Sequence, residues 1–397
     1  MQLVQMPATS LVPGMFVAEL DRPWLGTPFA LQGFVVRNDD DVEFVAQHCA
    51  YVYIDQDYKG AAIYLPLAAP KPRAGVASNS TLRIRDEFQQ TKVTFESAAV
   101  VLDRAFSALR KGRHADMNSV QEAVTPLIDG VFRNKEAVAA LVRMKEKGDY
   151  LYYHGIAMAV WAAIIGRQLG LGRTPLMKLV TGCAMADIGM THLPEGMLNK
   201  VGPLNATELE LIRRHPEIGA AAVRTNGNAD FETLAIIESH QERFDGSGYP
   251  RGLKGAQIPL VARIAGLVDA YDAMITERPW APARSSFEAT QELIDVKDVL
   301  FQGALIEQFI QAIGVFPTGA LVELNTGEVG IVVRQNASRR LKPEIVIVLD
   351  DEKVRLDKLL VCDLGAEVIA GELGGGRWIA RELKRGAYGL VSEDYFV

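Results

Sequence analysis

The chain has 397 residues, 49% of them hydrophobic and 23% charged, the balance of a folded globular protein with room for roughly two to four domains. Its 42 Lys and Arg against 49 Asp and Glu leave a net charge of −7, which excludes a generally basic nucleic-acid-binding surface. The longest apolar run, residues 155–166, is stopped by Arg167, short of the roughly 20 residues that a membrane span needs.

Residues 1–10 lack the basic flank and apolar stretch of a secretory leader. Cys49, Cys183 and Cys362 lie far apart, so a reducing, cytoplasmic setting is expected. Residues 1–62 read as a small β-rich domain. Strand-forming runs at 11–17, 34–36 and 51–54 are punctuated by Pro13-Gly14 and by Asn38-Asp39-Asp40. Pro66, Pro70, Pro72, Gly75 and Ser78 give residues 63–80 the character of a linker.

Residues 81–315 read as helical. Phe88, Phe95, Ala99, Leu102, Phe106 and Leu109 recur at helical steps over 82–110, a helix that serves equally to cover a core, transmit a signal or pair with a second copy. Thr174-Pro175 opens a helix over 176–186, while Asn205 with Glu208 and Ser285 with Glu288 form capping boxes. The helix over 259–275 has so few polar positions that it is expected to be buried, which draws attention to Asp269 and Asp272 within it. After Phe316-Pro317 the pattern returns to strand at 320–324, 329–333 and 344–349, giving a β-rich C-terminal domain over 316–397.

Six histidines are present, at 48, 114, 154, 192, 215 and 240, and four of them fall between 154 and 240 in or beside predicted helices. Histidines and carboxylates contributed by several helices are how a bundle core assembles a metal site. Mixed imidazole and carboxylate ligands suit iron, manganese or zinc better than calcium or magnesium. Each residue alone reads as an ordinary core or surface side chain. What lifts the set is the segment from Glu238 through His240-Gln241-Glu242 to Asp245-Gly-Ser-Gly248 and Tyr249-Pro250.

That segment resembles the HD-GYP family, bacterial metal-dependent phosphodiesterases of cyclic di-GMP with an all-helical HD-type core. The likeness spans about 150–283. Ala186-Asp187-Ile188-Gly189-Met190 matches the family's His-Asp-Ile-Gly-Lys block, His240-Gln241-Glu242 its His-His-Glu, and Gly248-Tyr249-Pro250 its namesake. Val268-Asp269-Ala270-Tyr271-Asp272-Ala273 with Glu277-Arg278-Pro279 matches the segment carrying its last metal aspartate. Pro13-Gly14-Met15 and Pro23-Trp24-Leu25 resemble a small domain of unknown function often fused ahead of HD-GYP domains.

The resemblance implies a multi-domain chain, a central all-α HD-type bundle flanked by small β-rich N- and C-terminal domains. It implies metal ligands at His154, Asp187, His215, His240 and Asp269, with Asp187 bridging and catalytic. Tyr249 and Arg278 are implied to contact the nucleotide. The chain departs from the family at four positions: Ala186 replaces the HD histidine, Gln241 the second histidine of His-His-Glu and Met190 the lysine expected at the phosphate. Tyr150 stands where some members carry a glutamate ligand.

The surviving ligands group as His154, Asp187 and Asp269 on one side, and Asp187, His215 and His240, with Gln241, on the other. His192 falls on a different helix face from Asp187 and is not expected to substitute. One or two weakened iron or manganese ions, or none, are therefore expected. The expected function is cyclic di-GMP signalling by a catalytically impaired or silent protein that binds the cyclic nucleotide, its linear product or a partner. The alternative is an active phosphodiesterase with a reduced dinuclear site. The GYP loop further implies a GGDEF-type diguanylate cyclase partner, and the long helix a homodimer. Neither a nucleic-acid partner nor a membrane span is expected.

Overall fold

A computed structural model of the chain describes residues 3–21, 34–36, 38–55, 80–144, 150–198, 200, 202–278, 282–336, 341–365 and 377–395. The linker at 63–79 and Pro23-Trp24-Leu25 lie outside the described residues. By compactness the chain divides into residues 1–75 with 165–173 and residues 76–164 with 174–397, taken in turn below.

In the first unit, β1 (Leu3–Pro7), β2 (Phe16–Leu20), β3 (Phe34–Val35) and β4 (Tyr51–Asp55) form an antiparallel sheet in the order β1-β4-β2-β3. Helix α1 (Asp39–His48) precedes β4, and Val17, Val45 and Val52 are fully buried between them. Two local readings change. The run at 11–17 is broken by a turn at Pro13-Gly14, with Gly14 at φ 97°, so the strand begins only at Phe16. Asn38-Asp39-Asp40 is a helix start instead of a turn: Asn38 Oδ1 accepts from Asp41 N at 3.0 Å, and the aspartates occupy the first helical turn.

The second unit opens with α2 (Ser80–Arg110) and α3 (Met117–Met144), an antiparallel pair. Phe88, Phe95, Leu102, Phe106 and Leu109 line the buried face of α2. Asn134 leaves helical geometry within α3, and its side chain accepts from Ala137 N at 3.1 Å, recapping the second half. Helix α4 (Tyr150–Gln168) is apolar on all sides, and every residue from 154 to 166 is buried, so it forms the central post of the bundle.

Around this post stand α5 (Arg173–Met185), α6 (Glu195–Leu198), α7 (Ala206–Arg213), α8 (His215–Asn226) and α9 (Phe231–Ser239). They are followed by α10 (Leu260–Ile275), α11 (Ser286–Asp295) and α12 (Gly303–Ile313). Both expected capping boxes form, at Asn205 and Ser285. Trp161 of α4 meets Tyr271 of α10 edge-on at 5.4 Å and Phe309 of α12 at 6.4 Å, which ties the three helices together. No helix among the described residues is long and apolar enough to cross a membrane.

The chain ends in an antiparallel sheet ordered β8-β7-β6-β5-β9, built from β5 (Leu321–Leu324), β6 (Val329–Arg334), β7 (Glu344–Leu349), β8 (Arg355–Asp363) and β9 (Ile379–Glu382). The Asn325-Thr326-Gly327 turn joins β5 to β6, and Val322, Val332, Ile345 and Ile347 are fully buried in the sheet's core.

Candidate metal centre

Five elements deliver the polar groups to one point. His154 lies near the start of α4, and Asp187 in the bend two residues beyond α5, where φ −91° and ψ 11° turn the chain into a 3-10 turn over Ile188–His192. His215 opens α8, His240 caps the C-terminus of α9, and Asp269 sits within α10. Glycines permit the approach. A Cβ on Gly189 would stand 2.0 Å from His215 O, so only glycine lets the Asp187 turn seat against the start of α8. A Cβ on Gly266 would stand 2.5 Å from His240 O, so α10 closes on the end of α9 for the same reason.

Asp187, His215 and His240 are buried and converge. Asp187 Oδ1 lies 3.2 Å from His215 Nε2 and 3.4 Å from His240 Nε2, and the two Nε2 atoms are 3.1 Å apart. His215 Nδ1 donates to Ile212 O at 2.7 Å, and His240 Nδ1 donates to Ile237 O at 3.1 Å and Ile236 O at 3.2 Å. A carbonyl only accepts, so each ring's hydrogen is fixed on Nδ1 and its lone pair on Nε2. Three lone-pair donors thus face one another, and buried Asp187 Oδ1 has no hydrogen-bond partner. Such a set is satisfied by a cation: these are the donor types and count of a transition-metal site with positions left open for other ligands.

The electrostatics agree with this. Burial pushes the Asp187 carboxyl up, yet the adjacent His215 and His240 rings, with His154 nearby, hold it well below the usual carboxylate range. Burial likewise pulls His215 down, and the Asp187 carboxylate outweighs it, raising the imidazole above its ordinary value. Both directions favour positive charge beside the carboxylate, which a cation at this place would supply.

His154 forms a second group with the other oxygen of the same carboxylate. Its Nε2 lies 3.0 Å from Asp269 Oδ1 and 3.7 Å from Asp187 Oδ2. Behind it, Nδ1 is 2.7 Å from Asp272 Oδ2, and Asp272 Oδ1 accepts from Trp161 Nε1 at 2.9 Å. A carboxylate behind an imidazole is the arrangement that orients metal-binding histidines. Asp272 is thus a site residue that the sequence flags without assigning; its signal is the three-residue step from Asp269, which puts both on one helix face.

The departures resolve individually. Ala186 is fully buried and offers no ligand atom. Gln241 Nε2 donates to Asp269 Oδ2 at 2.9 Å, and its Oε1 accepts from Arg243 Nη2 at 3.1 Å. A carboxylate cannot donate and a guanidinium cannot accept, so this orientation of the amide is forced. Gln241 therefore supports Asp269 from the side and, so held, turns no oxygen toward Asp187, His215 and His240. Tyr150 begins α4, and its side chain lies outside the described residues. His192 is exposed at the end of the 3-10 turn, away from the cluster.

Glu242 staples the loop that follows: Oε1 accepts from Arg251 N at 2.8 Å and Oε2 from Leu253 N at 2.9 Å. The loop returns Tyr249 to the site, its ring edge-on to His215 at 6.3 Å. A cavity of about 1680 Å³ opens onto Asp187 and His215, and Tyr249, Met190 and Arg278 line it.

With this geometry in place, comparisons with known proteins converge. Residues 131–305 match the HD domain family, residues 3–120 a domain of unknown function (DUF3391), and residues 321–369 a KOW domain associated with HD domains. Cyclic di-GMP phosphodiesterase PA4108 of Pseudomonas aeruginosa is 30% identical over 376 residues, which cover 91% of this chain and 89% of that protein. The cyclic di-GMP phosphodiesterase response regulator RpfG of Xanthomonas campestris is 30% identical over 53% of each chain. Among solved structures, an HDG"Y"P protein from Bdellovibrio bacteriovorus aligns with TM-score 0.48 and 16% identity, covering 78% of this chain and 98% of that one.

Proposed function

Because this chain belongs to the HD-GYP family of HD-domain proteins, we propose that it holds a divalent iron or manganese ion at Asp187, His215 and His240 and hydrolyses cyclic di-GMP there. One observation carries the reading: two imidazole lone pairs and an unpartnered carboxylate oxygen lie within 3.4 Å of one another, and the rings' hydrogens are committed to backbone carbonyls. The substrate class is supported by a relative of that name aligned along nine-tenths of the chain.

An ion held by these groups supplies Lewis acidity toward a phosphodiester oxygen. The protein's own residues do the rest. With its proton on Nδ1 toward Asp272, His154 would turn the Nε2 lone pair to the side of Asp269 and Asp187, a second, weaker position beside the Asp187 carboxylate. Gln241 holds the far oxygen of Asp269, and Tyr249 covers His215 at the cavity wall.

A second reading rests on Ala186, Met190 and the Gln241 amide, which together remove two imidazoles and a cation relative to the family pattern. On that reading the chain binds the nucleotide, or a GGDEF-type partner through the Tyr249 loop, and hydrolyses nothing. Metal analysis of the purified chain, paired with cyclic di-GMP hydrolysis in added Mn²⁺ or Fe²⁺, separates the two. About one tightly held ion per chain and a hydrolysis that Asp187→Ala abolishes are expected. Binding of nucleotide by the metal-loaded chain with no turnover selects the second reading, and failure to retain metal overturns the first.

A further inference from the structure

The cavity at the metal centre exceeds the roughly 300–1,000 Å³ typical of small-molecule sites, at about 1680 Å³. Part of its wall comes from the C-terminal sheet, through the residues that follow β9: Leu383, Lys384 and Arg385. Glu382, the last residue of β9, fixes this segment to the helices. Its side chain is only 2% exposed, and its carboxylate accepts from Arg143 Nη2 of α3 and from Phe287 N of α11, both at 2.9 Å. A carboxylate held by a guanidinium and a helix N-terminal amide is a firm anchor. After Leu383 come Lys384 and Arg385, two exposed cations in an otherwise acidic chain, standing on the wall of the cavity that opens onto Asp187 and His215.

We propose that Lys384 and Arg385 form an anion subsite, set by the Glu382 anchor, that binds the phosphate of a cyclic dinucleotide not engaged at the metal centre. The inference rests on the cyclic dinucleotide reading above and extends it to the C-terminal domain. A cyclic dinucleotide carries two phosphodiester groups on opposite sides of one ring. When one is held at Asp187, His215 and His240, the other carries a full negative charge toward a different wall. A flexible ammonium beside a guanidinium suits that charge. Lys384 and Arg385 are binding residues on this account, and Glu382 is a positioning residue.

The test is calorimetric titration of the manganese-loaded full chain with a hydrolysis-resistant phosphorothioate analogue of cyclic di-GMP, alongside GMP as a one-phosphate probe. Lys384→Ala and Arg385→Ala are each expected to weaken the analogue about tenfold. The double variant Lys384→Met with Arg385→Met, which keeps the apolar stems, is expected to lose about as much as the alanine pair and to show a shallower salt dependence. GMP binding stays within twofold. In turnover the double variant raises KM with little change in kcat. Wild-type chain that fails to bind the analogue overturns the nucleotide reading and this subsite with it. Wild-type chain that binds, with a double variant equally tight at every salt concentration, overturns the subsite alone.

Discussion

His154, His215 and His240 behave differently from ordinary core histidines because each has one nitrogen already committed. The partner of His154 is a buried carboxylate, so its orientation can be tested by a near-isosteric change. Asp272→Asn puts an amide where His154 Nδ1–H and Trp161 Nε1–H both need an acceptor. One of those donors then loses its partner or the ring changes tautomer. Metal affinity is expected to fall by about 10–100-fold, the usual scale for outer partners of metal histidines, and thermal stability falls with it. Competition against a chelating dye reads the first effect, and an unchanged affinity would remove Asp272 from the site. At this scale the sequence was partly legible. Asp187, His240 and Asp269 stand in recognisable motifs, His154 and His215 are placed by position alone, and the structure brings the five side chains together. The division of labour between Asp269 and Asp272 was hidden, because two carboxylates three residues apart look alike until the imidazole between them is seen. Gln241 was hidden for a similar reason: its amide can donate or accept, and only the neighbours Asp269 and Arg243 decide which.

At the scale of elements, β9 matters beyond its four residues, since it carries the segment proposed to bind phosphate. It pairs with β5, and Glu323 of β5 bridges outward to Lys353 Nζ at 2.8 Å and Arg381 Nε at 2.7 Å. The Lys353 contact, helped by Arg381 and opposed by partial burial, lowers the Glu323 carboxyl below its ordinary 4.5. The sign follows from linkage. A carboxyl depressed in the folded state contributes its full stabilisation above the unfolded value and loses it as pH falls through the folded one. Amides of β9 are therefore expected to exchange faster in acid than intrinsic rates predict, and Glu323→Gln to flatten that dependence. Equal acid sensitivity in the variant would assign the effect to another group. Strands β5 to β7 were readable from alternation and the Asn325-Thr326-Gly327 turn. Strand β9 was not, because four residues with a bulge in their pairing carry too little periodicity. Helix α1 was missed because an Asn-Asp-Asp cluster satisfies turns and helix starts alike.

For the whole molecule, chain order and class were legible, from the β-rich start through helices to a β-rich end, because hydrophobic period changes sharply at each transition. What no local pattern contains is which helix ends meet, and that is where the proposed metal would act. His215, His240 and the Asp187 bend come from three elements separated by up to 53 residues, so the unfolded chain holds no preformed triad. An ion that binds only the folded state adds about 2.7 kcal/mol at a hundredfold excess over its dissociation constant, and about 4.1 at a thousandfold. For a domain of this size each kcal/mol shifts Tm by roughly 2–4 °C. Excess Mn²⁺ is therefore expected to raise the melting transition of the helical unit by about 5–15 °C. The gain should grow with the logarithm of metal concentration, vanish in chelator and be absent from Asp187→Ala. A shift that saturates at one equivalent yet survives Asp187→Ala would mean that the stabilising ion binds elsewhere.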